Sequence, residues 1–136
     1  MIAAMCSWHE HHELAANEID RRLARREKMI VAAPALVEAY AVLTRLPPPH
    51  RISPEAAITL LDNNFMKSVT VIALTAKSYE ALLRLAPKIG LAGGRTYDAV
   101  IGTCAEQGRA STVLTFNGDD FMALGKDFAV VVPAIV

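Results

Sequence analysis

Four short apolar runs rich in β-branched residues, separated by stretches with helical spacing, constrain this chain more than any other feature. The runs are residues 29–33, 69–74, 112–115 and 128–132. Each is a continuous apolar segment with no polar alternation, the pattern of a strand buried on both faces, and strands of that kind alternate with helices in parallel sheets. The pattern predicts one α/β domain over residues 1–136, with a central parallel sheet covered by helices on both sides. A chain of 136 residues is long enough to bury about two thirds of its unfolded surface.

The local signals between the runs are those of helix ends. Ser7-Trp-His-Glu10 has capping-box spacing and predicts a helix over residues 8–27. Pro34 suits the first turn of a second helix, which must stop before Pro47-Pro-Pro49 because three prolines cannot continue it. Ser53-Pro-Glu55 is an N-cap followed by a first-turn proline, starting a helix to about Phe65. Thr75 is placed to cap a helix over residues 76–85. A further helix contains Asp98 and stops near Gly108, and a short helical segment is predicted over residues 119–124.

Composition excludes several function classes. Apolar residues are 53% and charged residues 21% of the chain, which describes a packed globular protein. Fourteen basic and fourteen acidic side chains cancel, so no general field draws the chain to nucleic acid, and any polyanion must be met by a local patch or a bound metal. Cys6 and Cys104 lack the number and spacing of a disulfide framework or zinc site and are expected to be free thiols, Cys104 buried in an apolar helix. No run approaches the length needed to span a bilayer, and a cytoplasmic location is expected. Gly90-Leu-Ala-Gly-Gly94 lacks the Lys-Ser/Thr ending of a P-loop and follows no strand.

In parallel sheets, ligands bind beyond the carboxyl ends of the strands. Glu38, Asp98 and the loop Thr115-Phe-Asn-Gly-Asp-Asp-Phe121 are all expected near that end. Gathered carboxylates repel unless neutralised, and hard cations such as Mg²⁺ and Mn²⁺ take oxygen ligands. The chemistry such a site offers is metal-assisted phosphoryl transfer. On residue chemistry alone, the favoured reading of Asp98 is a helix-start aspartate stabilised by the macrodipole. Glu38 is flanked by apolar residues on both sides, which points to a buried or cleft position.

Other polar groups carry simpler readings beside functional ones. His9, His11 and His12 lack the i, i+4 spacing of a helical zinc pair and are read as exposed helix-start side chains. Arg21, Arg22, Arg25 and Arg26 offer charge to RNA phosphates, but Glu18 stands four residues before Arg22 and favours a paired, solvated helix face. Arg95, beside Asp98 on a glycine-rich loop, is the stronger RNA-contact candidate, or else a residue that holds a carboxylate in place.

Leu36-Val-Glu38, Gly94-Arg-Thr-Tyr-Asp-Ala-Val-Ile-Gly102 and Leu114-Thr-Phe-Asn-Gly-Asp-Asp-Phe121, in this order, resemble the PIN-domain family and within it the VapC toxins of toxin–antitoxin pairs. The resemblance implies a three-layer α/β/α sandwich and a Mg²⁺- or Mn²⁺-dependent endoribonuclease, with a cognate antitoxin and an RNA substrate as partners and a homodimer as its assembly. It places Glu38 and Asp98 on two family acids, and Asn117 with Asp120, ahead of Asp119, at the remaining position; Glu38, Asp98 and Asp120 would be the metal ligands. Family members begin with a strand ending in Asp-Thr/Ser-Asn/Ser, whereas Met1 corresponds to a position just after it. The chain is therefore expected to be short at its amino end, through a downstream start codon, a truncation or degeneracy. The alternative the likeness leaves is a catalytically degenerate PIN-like module that binds protein or RNA.

Overall fold

A computed structural model describes residues 1–135. The chain divides into two compact units, one formed by Met1–Val71 with the stretch from Pro133 onward, the other by Ile72–Val132.

In the first unit, a short helix α1 (Ile2–Met5) precedes α2 (His12–Ala24), β1 (Ile30–Ala32), α3 (Ala33–Arg45) and α4 (Pro54–Leu61), which widens into a π-helical turn over Asp62–Met66. β1 pairs with β2 (Thr70–Ile72), and the Thr70 N–H donates to the Met29 carbonyl at 3.2 Å. Pro34 lies in the first turn of α3, and the Ser53 hydroxyl accepts the Ala56 N–H at 3.1 Å, as their sequence positions predict. The core here is built on Cys6, Leu43 and Ala57, with Ile2, Met5 and Ile52 packed around them. Leu43 and Leu61 are 1% and 2% exposed, and burying such side chains stabilises by about 1.5–3 kcal/mol each.

The capping box predicted at Ser7 does not form. Residues 7–11 are a series of turns in which the His9 N–H donates to the Cys6 carbonyl and the His12 N–H to that of His9, so α2 begins only at His12, without a side-chain cap. The helix also ends earlier than predicted, at Ala24. Arg26 adopts a left-handed φ of 62°, the Arg26 N–H donates to Leu23 and the Glu27 N–H to Arg22, the paired bonds of a Schellman ending.

The second unit contains α5 (Ala76–Leu85), a 3₁₀ turn over Ala86–Ile89, α6 (Arg95–Gln107), β3 (Thr112–Leu114), α7 (Gly118–Met122) and β4 (Ala129–Val131). Thr75 caps α5 by accepting the Ser78 N–H at 3.1 Å. β3 and β4 run parallel, with Thr112, Val113 and Leu114 opposite Ala129, Val130 and Val131. A parallel pair requires a long crossover, and residues 115–128 with α7 supply it. Ala86, Leu91 and Ala99 form a cluster with Leu82 and Leu124 against it. Gly102 permits the close approach of α6 to the chain after α7, since a Cβ there would stand 2.7 Å from Leu124 Cδ1. α6 stops at Gly108 as predicted, but the left-handed residue is Arg109, φ 55°, one position later.

Candidate functional site

Glu38 lies in the second turn of α3 and is exposed. This corrects the expectation of a buried or cleft position. The buried stripe of α3 is Ala39 and Leu43, one turn apart, so Glu38 sits about 100° round the helix from it, and its apolar neighbour Val37 is itself 71% exposed. The carboxylate is close enough to act on the Met1 amino group. Burial lowers the pKa of that amine, and electrostatic interaction with Cys6 and Glu38 partly offsets the effect.

Asp98 is in the first turn of α6, half-buried, with Arg95 exposed at the helix start. Gly93, at φ 61°, turns the chain into this helix, and the Gly93 and Gly94 carbonyls accept the Thr96 and Tyr97 N–H groups at 3.0 and 3.1 Å. Ala99, next to Asp98, is packed in the Ala86 cluster, which fixes the turn that carries the carboxylate.

Asn117 precedes α7 as its N-cap residue; its side chain is exposed and makes no capping bond, while its backbone N–H donates to Thr115 Oγ1 at 2.9 Å. Asp119 is exposed and Asp120 half-buried, both in the first turn of α7. Phe121, 4% exposed, anchors this turn, and Gly118 lies so close to Val132 that a Cβ would approach its Cγ2 to 2.7 Å. The Thr115 N–H donates to the Val131 carbonyl at 3.1 Å and ties the loop to β4.

Glu38 thus belongs to the first unit and Asp98, Asn117 and Asp120 to the second. Among the described residues no group of three or more His, Cys, Asp or Glu side chains is gathered as a metal site. The donors fit a hard divalent ion by type, being three carboxylates and one amide oxygen that all retain access to water.

The other singled-out groups are placed as well. Arg22 Nε donates to Glu18 Oε1 at 2.7 Å, the spacing the sequence indicated, and Arg21 pairs with the second carboxylate oxygen. His9, His11 and His12 are half-buried rather than exposed, because their turns fold back on α1; His12 Nδ1 lies 2.8 Å from the Ala3 carbonyl. Cys6 and Cys104 are free and buried, and burial pushes both thiols up in pKa. Sequence reasoning gave no role to Trp8 or His50, whose rings stack at 4.1 Å. The available signal was that the sole tryptophan stands among polar residues, Ser7, His9 and Glu10. No helix among the described residues is long and apolar enough to cross a membrane.

With Glu38 on α3, Asp98 at the start of α6 and the Asn117 loop in place on an alternating α/β chain, comparison with known proteins settles the class. Residues 1–127 match the PIN domain, and the chain belongs to the PIN-domain family, whose fold is a three-layer α/β/α sandwich. It is 40% identical over 106 residues to Ribonuclease VapC40 of Mycobacterium tuberculosis, covering 78% of this chain and 73% of that protein. It is 32% identical over 108 residues to Ribonuclease VapC27 of Mycobacterium tuberculosis, strain H37Rv, covering 79% and 66%. The resemblance drawn from the three motifs is borne out.

Proposed function

We propose that this chain is the ribonuclease toxin of a toxin–antitoxin pair and hydrolyses RNA phosphodiester bonds with the help of a divalent metal. The observation that carries the reading is the 40% identity, over 78% of the chain, to a protein named as a VapC ribonuclease. Single-domain organisation over residues 1–136 is part of the proposal, supported by a family match that runs through both compact units.

Glu38, Asp98 and Asp120 would hold Mg²⁺ or Mn²⁺, with Asn117 completing the set through its amide oxygen. Such an ion lowers the pKa of an attacking water and offsets charge developing on the phosphoryl oxygen. The protein's own residues do the rest. Arg95, exposed at the start of α6, meets the RNA phosphate as a charge-assisted donor. Gly93 and Gly94 hold the loop that brings this arginine next to Asp98. Phe121 and the tight approach at Gly118 keep the Asn117–Asp120 turn from moving when substrate arrives.

The partners are the cognate antitoxin and RNA. Homodimerisation is part of the reading, and exposed Leu83, Ile89 and Tyr97, at 61%, 59% and 72%, provide apolar surface for a protein contact. The protein acts in the cytoplasm, where its RNA substrates are. Mn²⁺ should raise the melting temperature of the protein, because a ligand bound only by the folded state shifts unfolding by mass action. Asp98→Asn should remove that rise and RNA cleavage together; cleavage that survives the substitution overturns the assigned site.

A further inference from the structure

We propose that Trp8 and His50 form a base-stacking platform for the single-stranded RNA substrate, a role that rests on the ribonuclease reading above. Trp8 is 43% exposed, and its indole lies over the His50 imidazole with ring centroids 4.1 Å apart and planes 24° apart. His9 and His11 extend the cluster, at centroid distances of 5.9 Å from Trp8 to His9 and 5.7 Å from His9 to His11.

The platform is fixed from below. The His11 N–H donates to His9 Nδ1 at 3.1 Å, which holds the His9 ring, and the His50 N–H donates to the Pro47 carbonyl at 3.0 Å, which closes the turn carrying His50. A rigid aromatic surface open to water suits a nucleobase, because every base presents a π face and stacks without regard to sequence.

Charge beside the rings matches the same ligand. Arg51 follows His50, is exposed, and donates through Nε to the carbonyl of Leu46, the C-cap residue of α3, at 2.8 Å. The neighbouring acid, Glu10, is 3.6 Å from His11 Nε2. An exposed arginine directly following a stacked ring is complementary to a base with its phosphate. The helix that leads to this turn, α3, also carries Glu38 of the proposed site.

Trp8 is the only tryptophan, so its emission reports on this surface alone. The test titrates the protein in EDTA with a short oligouridine and with a matched chain of abasic sites, following Trp8 fluorescence and, separately, the anisotropy of a labelled oligouridine. Stacking should quench Trp8 with oligouridine and not with the abasic chain. Trp8→Leu should weaken binding roughly tenfold, while Trp8→Phe should stay within about threefold of the parent. His50→Ala, with its fold checked by circular dichroism, should also weaken binding. Oligouridine binding without quenching, or equal binding by Trp8→Leu, overturns the platform and leaves the ribonuclease reading intact. Absence of any anisotropy change also overturns the platform, while the ribonuclease reading is decided separately by cleavage and Mn²⁺ stabilisation in the Asp98→Asn comparison.

Discussion

The Glu18 carboxylate, one of the few charged groups withdrawn from water, is held by Arg22 Nε at 2.7 Å, and the Arg22 Nη1 donates in turn to Glu27 Oε2 at 2.9 Å. The arginines keep partial contact with solvent, so removing the acid leaves cations that can rehydrate. Glu18→Ala should cost about 1.5–3 kcal/mol in urea denaturation, the range for hydrogen bonds to charged groups. Glu18→Gln keeps acceptor capacity and should cost less than half as much.

Two helices end on arginines in the left-handed region, Arg26 at φ 62° and Arg109 at φ 55°. A side chain with a Cβ is disfavoured there and glycine is not. Arg26→Gly and Arg109→Gly should each stabilise the protein by about 0.5–1 kcal/mol, with a rise in melting temperature, whereas alanine at either position should give no gain.

Cys104, 1% exposed, keeps its proton to higher pH in the folded protein because burial raises its pKa. The unfolded thiol ionises near ~8.5. The unfolded state therefore binds fewer protons above that pH, and stability should fall as pH rises from the ordinary thiol range towards the raised folded value. Cys104→Ala should flatten this slope, as read from urea midpoints across alkaline pH. In the folded protein a thiol reagent should label Cys104 only as fast as it unfolds.

At the proposed site, Asp120 and Asp119 differ in a way that cleavage assays can separate. Asp120→Asn should reduce RNA cleavage at least about a hundredfold, as loss of a group acting on the transition state does, while Asp119→Asn should leave it within a few-fold. Arg95→Ala should raise KM more than it lowers kcat, because a phosphate contact made equally in ground and transition states acts on binding.

Local chemistry was the most legible part of the fold. Pro34, Ser53 and Thr75 start helices where their side chains say they should, because capping is decided by atoms three residues away. The four strands form at the four apolar runs but are shorter, three residues each, since hydrogen-bonded pairing and not apolarity sets their length. Ser7 and Glu10 had the right spacing for a cap, yet turn bonds from Cys6 and His9 claimed that stretch, and no short-range rule foresees it. The short α1 carries no cap signal and was not anticipated. For Glu38, apolar neighbours in sequence suggest burial, but helical phase governs which of them face the core. Asp98 was legible because a carboxylate in a helix's first turn, after a glycine turn, has few places to be.

The register of β3 against β4 has a consequence for synthesis. Residues 112–114 find their strand partner only at 129–131, and the turn bearing Asn117 and Asp120 lies between them, tied to β4 through Thr115. A nascent chain that has delivered everything up to Met122 still holds that turn on an unpaired strand. The last part of the proposed site is therefore set only after Val131 has cleared the ribosome, so that a protein proposed to cut RNA is unarmed while it is still attached to the RNA machinery that makes it.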